Sequence, residues 1–249
     1  YTLSLHDALP IWYVLITLLG FLVYIDHLWD ALTHIGMAGL LILPFINRSA
    51  RTRILAAVGY VAVFQAIYLY TEYSSWMLDR TNSLNGGPLA AMSWGFAVLF
   101  GTVAYDLWAT RDRRWITTGM LTMGAVLIAA GWLAHLPWPG VKEAWPFTRW
   151  GMALPYPVLT TGVAFLIYLF FYWFCDVLGW RLPLASPIGA NPLLMYGIMG
   201  AFIGISKLLI SVYGEPDFWL SLGSWIAISL FCYGIARMLY TRQVSIRIS

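Results

Sequence analysis

Asp30 and His34 stand four residues apart in WDALTHIG, a spacing that places a carboxylate and an imidazole on one helix face. A carboxylate-supported imidazole is the arrangement of a general base, but a His beside an Asp near a helix end is more often a structural pair. Nothing else in the chain supplies a recognisable nucleophile or a third member, so the catalytic residue is left open, with His34 a weak candidate. Lys207 is the second chemical anomaly. It lies about six residues from the end of an apolar run, roughly 9 Å deep at 1.5 Å per residue. Gly200, Gly204, Lys207 and Ser211 follow the spacing of one helix face, and such small-residue faces pack against other helices. The ammonium therefore either enters a wet cavity or snorkels along its stem to the interface. Asn191, in SPIGANPLLMY, precedes Pro192 and reads as a helix N-cap with Pro at the first helical position. The same exposed amides can receive an anion such as a cofactor phosphate. His135 and Asp176 fall at the ends of apolar runs and read as interfacial and solvated residues. Cys175 and Cys232 offer neither metal spacing nor a disulfide framework, and no metal is expected. The sequence holds no Gly-rich phosphate loop after a strand, no Cys/His cluster for zinc and no serine elbow.

The elements that must position these groups are membrane spans. Of 249 residues, 61% are hydrophobic and only 10% charged, with a mean hydropathy of +0.74. A soluble domain of this size exposes far more charge. Apolar runs of roughly 17–25 residues match the bilayer core, so the fold class is all-α: a polytopic membrane helix bundle of about eight spans. They are expected near residues 12–25, 28–46, 54–73, 88–108, 115–136, 155–175, 190–213 and 217–240. The first two are short and meet at a tight Asp26-His27 junction. Polar, Pro or Gly markers separate the rest, such as Gly86-Gly87-Pro88 and Gly214-Glu215-Pro216. The net charge of +3 sits in short loops rather than one patch, which points to topology and not to nucleic acid. Arg48, Arg51 and Arg53 follow the second span, Arg111, Arg113 and Arg114 the fourth, and Arg237, Arg242 and Arg247 close the chain. Lys and Arg favour the cytoplasmic side, so both ends of the stack, including a tail at 241–249, are expected there. The longest outer segment, 137–154, is rich in Trp and Pro and can fold back over a cavity.

Two stretches go beyond generic membrane sequence. PFTRWGMALPYPVLTTG, residues 146–162, leads into a span ending YWFCDVLGWRLPLASPIGANPLLMY. This block resembles the carboxy-terminal half of the heparan-alpha-glucosaminide N-acetyltransferase-like family of transmembrane acyltransferases. The matching residues are Pro146, Tyr156, Thr160, Gly162, Asp176, Gly179, Trp180, Gly189, Asn191 and Tyr196. WDALTHIGMAGLL, residues 29–41, also looks like a helix of that family. The family's Asn-Lys pair reads Thr148-Arg149 here, and its Trp-Thr-Ser-Ser segment reads Met152-Ala153-Leu154-Pro155, which alters the loop facing the acceptor. The resemblance implies transfer of an acetyl or other acyl group from acyl-CoA, as co-substrate, to the amine or hydroxyl of a glycan or other small-molecule acceptor. It implies a cofactor and acceptor cavity lined by Asn191, Lys207, Arg149 and Asp30. The family's catalytic His lies in a loop near its amino terminus that has no match here, and His34 does not take its place.

The first eleven residues, YTLSLHDALPI, fit neither a signal peptide nor a family helix. They are expected to be a non-native, adapter-like leader, so His6-Asp7 is not taken as a catalytic pair. The domain proper is expected at 12–240, with about two leading helices of the family pattern missing and the fragment inactive alone. The expected setting is a bacterial inner membrane, and homodimers are common for such bundles. The alternative function is a multi-pass transporter or flippase for a polar or lipid-linked solute, with Lys207 and His34 in the path. A non-catalytic scaffold is the third reading.

Overall fold

Every expected span falls on a helix. The computed structural model of the chain describes residues 5–23, 29–79, 84–137, 145, 147–181 and 183–243, and the Asp26-His27 junction lies outside them. The long helices are α1 (Leu5–Val23), α2 (Ala31–Ile42), α3 (Ala50–Tyr70), α5 (Ala91–Ala109), α6 (Arg113–His135), α7 (Pro155–Phe171), α9 (Pro192–Tyr213) and α10 (Phe218–Thr241). Two short ones, α4 (Tyr73–Asp79) and α8 (Ala185–Ala190), lie between them. Six segments are long and apolar enough to cross a membrane; Leu9–Leu22 and Ala31–Phe45 are apolar but shorter. No strand occurs among the described residues. The chain is an all-α, multi-pass membrane helix bundle. Residues 5–11, the expected leader, are helical and continuous with α1, with Pro10 inside it.

The helix starts follow from local chemistry. Ser49 Oγ accepts the Thr52 N–H at 3.3 Å to open α3. Asp112 Oδ1 accepts the N–H groups of Arg114 and Trp115 at 2.8 and 3.2 Å to open α6. Asp217 does the same for α10 through Leu220, at 2.7 Å. Each carboxylate or hydroxyl satisfies a donor that the first helical turn leaves without a partner.

The chain divides into two compact units, Tyr1–Val177 and Leu178–Ser249. In the first, Pro88–Ala109, which contains α5, is the most buried of the six segments long enough to cross a membrane, and α5 packs on α2, α3, α6 and α7. Phe96, Leu99, Phe100, Met120 and Phe165 form the centre of the core. Helices α6 and α7 run antiparallel at close range. Gly124 faces Leu166, Gly131 faces Leu159 and Gly162 faces Ile128, and a Cβ on any of these glycines would collide with the facing helix. Lipid-facing helices gain no hydrophobic drive from one another, so this close backbone approach is what their packing energy depends on. Past α7 the chain widens into a π-helical turn, Tyr172–Val177, and Trp173 Nε1 donates to Thr117 Oγ1 at 3.2 Å. In the second unit, α8 and α9 both contact α10, and Phe202 meets Phe231 edge-on at 5.6 Å.

Candidate functional site

The arginines sort the two poles of the first unit. Arg51 and Arg53 lie at the start of α3, Arg111 just after α5, and Arg113 and Arg114 at the start of α6. Arg53 is buried and pairs with Asp106, and Arg113 lies over the Trp173 ring at 5.7 Å. The positive-inside pattern thus gathers at one end.

The opposite pole is a network of buried side chains holding two irregular segments. One is the turn 84–90. Asn85, Gly86 and Gly87 there all take positive φ, of 58°, 88° and 66°, a conformation that glycine adopts without a Cβ clash. Tyr73 ties this turn together: its hydroxyl donates to the Gly86 carbonyl at 2.7 Å and accepts the Leu89 N–H at 3.1 Å. Burial pushes that hydroxyl from its ordinary 10.0 up to about 12. Asn85 donates to the Trp29 carbonyl at 3.3 Å, linking the turn to the start of α2.

The second segment is 147–154, within the stretch PFTRWGMALPYPVLTTG. Gln65, on α3, accepts the Leu154 N–H at 2.8 Å through Oε1. Ser93, on α5, donates to the Met152 carbonyl at 3.0 Å. Met152 itself is buried and sits at φ 48°, an uncommon backbone for a residue with a long side chain. Such strain persists only where the surroundings over-determine it, and here Ser93, Met77, Ala90 and Gly86 do so. His135, at the end of α6, contacts the Trp145 carbonyl at 3.0 Å through Nδ1 and meets Phe147 edge-on at 5.8 Å.

His34 is fully buried at this pole. Its Nδ1 lies 2.9 Å from the backbone carbonyl of Asp30, and its Nε2 lies 2.9 Å from the carbonyl of Gly87. The hydrogen bond to the ring comes from the Asp30 main-chain carbonyl and not from its carboxylate. The reason is geometric, since Asp30 precedes the first turn of α2 and its carbonyl already points along the helix toward His34. Both nitrogens face backbone carbonyls, and the fully buried ring presents neither of them to a substrate.

The other expected site residues divide between the units. Arg149 is exposed, with its guanidinium over the Trp150 ring at 5.0 Å, and it makes no ion pair with Asp30. In the second unit Asn191 is 3% exposed and joins the end of α8 to the start of α9. It stands at the N-cap position with Pro192 next, yet its side chain makes no cap bond, because its backbone lies at φ −138° and ψ 59°. Lys207 is exposed, and of its small-residue stripe only Gly200 is buried. The packed face expected around Lys207 is thus not formed within this unit. Sixteen residues separate Asn191 from Lys207, about 24 Å along one helix, so the two serve opposite ends of α9 rather than one compact site. Among the described residues, no group of three His, Cys, Asp or Glu side chains is placed to hold a metal ion. Gln65, Tyr73 and Ser93 escaped the sequence reading, although a single Gln inside the apolar run of α3 is a signal of the same kind as Lys207.

No family model, no curated protein and no solved structure matches this chain.

Proposed function

We propose that the chain forms the membrane-embedded donor- and acceptor-binding body of an acyltransferase, moving an acetyl or other acyl group from acyl-CoA to a glycan amine or hydroxyl. The observation that supports this best is how the resembling block is held. Its first part, 147–154, is pinned by Gln65 and Ser93, with Arg149 left exposed beside it. Its last part ends at the buried Asn191 that opens α9. In this reading Arg149 meets the acceptor at the outer pole, and the amide-rich start of α9 takes a phosphate of the donor. The acceptor's nucleophile attacks the thioester carbonyl, CoA leaves as the thiol, and a base outside the residues named here removes the proton. In this reading the donor end and the carboxy terminus lie in the cytoplasm of a bacterial inner membrane, an orientation that the positive-inside tendency favours.

A transporter would need Lys207 or His34 to line a path. Lys207 is exposed on its helix and His34 is sealed between carbonyls, so neither favours that alternative. Equilibrium dialysis of labelled acetyl-CoA against the chain in lipid nanodiscs separates the readings. Saturable binding competed by CoA, with no labelled product on glucosamine, is the expected result. Solute counterflow in vesicles without acetyl-CoA binding would establish transport instead.

A further inference from the structure

The His34 ring faces two acceptors. A neutral imidazole carries one N–H and one bare nitrogen, whereas a carbonyl oxygen can only accept. With Nδ1 and Nε2 each 2.9 Å from a carbonyl oxygen, the neutral ring bonds one and turns a lone pair toward the other. Only the imidazolium donates to both. Neither carbonyl is free to turn away. The Asp30 oxygen also accepts the His34 backbone N–H at 3.1 Å, and the Gly87 oxygen also accepts the Ala90 N–H at 3.1 Å. The Gly87 turn is further set by Tyr73 on either side, at Gly86 and Leu89. The ring lies nearly parallel to Trp94, with centroids 5.6 Å apart and an 18° angle, and Trp29 approaches at 6.2 Å. An indole face attracts a cation. Among the described residues, the titratable groups on the elements packed about His34 are Asp30 on its own segment, Tyr13 on α1 beside Gly39, and Tyr73 on α4 beside Gly86; α5 presents Trp94, which does not titrate.

We propose that His34 is a proton-binding site that couples α2 to the turn 84–90. The imidazolium closes the joint by donating to Asp30 and Gly87 together, and loss of the proton to solvent opens one of the two bonds. The proposal rests on this geometry alone and stands or falls independently of acyl transfer.

The test is a pH titration of the whole chain in nanodiscs with ¹⁵N-labelled histidine. Replacing the other three histidines (His6→Gln, His27→Gln, His135→Gln) leaves His34 as the only signal. The expected result is two protonated ring nitrogens at the acid end of the range and one at the alkaline end, with amide exchange at Ala90 quickening through the same midpoint. In Trp94→Leu that midpoint should move to lower pH. A single neutral tautomer at every pH from about 5 to 8, or a His34 titration that leaves exchange at Ala90 unchanged, would overturn the proposal. Where Trp94→Leu fails to fold, Trp94→Phe, which keeps a stacked ring with a weaker face, is expected to give a smaller shift of the same sign.

Discussion

Gln65 holds the 147–154 segment through one bond to the Leu154 N–H, reaching across 89 residues of sequence. Replacing it by Leu leaves a part-buried backbone donor without its partner, a cost of about 1–3 kcal/mol. The expected outcome is a lower Tm in detergent and faster proteolysis within the segment, with helix content unchanged. Tyr73 lies beyond the end of the α3 span and gives a pH signature. Burial raises its pKa from 10.0 to about 12. An acid with a raised folded-state pKa contributes stability that is intact below about pH 10 and lost as pH rises through about 12. Comparing unfolding of the native chain with Tyr73→Phe isolates this: the native protein should lose stability across that window and the variant should lose less. Such residues were the least legible part of the sequence. Gln65, Ser93 and His34 bond to main-chain atoms 89, 59 and 53 residues away, and neither partner carries a side-chain signal. The pairing of Asp30 with His34 was legible in its spacing, but which Asp30 atom meets the ring depends on how α2 begins.

At the scale of elements, apolar length did most of the work, because a bilayer core demands about 20 apolar residues wherever a helix crosses it. That is why all eight apolar segments, including the two short first ones, could be placed before their packing was known. Which faces meet was not readable. The stripe through Lys207 has the spacing of a packed face, yet only Gly200 is buried, whereas Gly124, Gly131 and Gly162 bring α6 and α7 together. These glycines give a paired prediction. Gly131→Ala puts a Cβ against the backbone of Leu159 and should destabilise by about 1–3 kcal/mol. Gly59→Ala meets nothing within 4 Å and should be neutral or stabilising by about 0.5–1 kcal/mol. Thermal unfolding of the two variants, measured side by side, checks both signs.

Over the whole molecule, the first unit has a basic pole, joined by Arg53 and Asp106, and a polar pole that grips its two irregular segments. The second unit contributes α9, with Asn191 at one end and Lys207 about 24 Å away toward the other. The proposed donor contact is at the Asn191 end of α9 and not at Lys207, so binding of the donor alone tests the account. Acetyl-CoA should be titrated against the chain in nanodiscs, with Asn191→Ala and Lys207→Ala variants that retain native helix content and Tm. The account predicts saturable binding that weakens about tenfold, or 1.4 kcal/mol, in Asn191→Ala and stays unchanged in Lys207→Ala. Absence of saturable binding in the native chain, or equal loss in both variants, would contradict it.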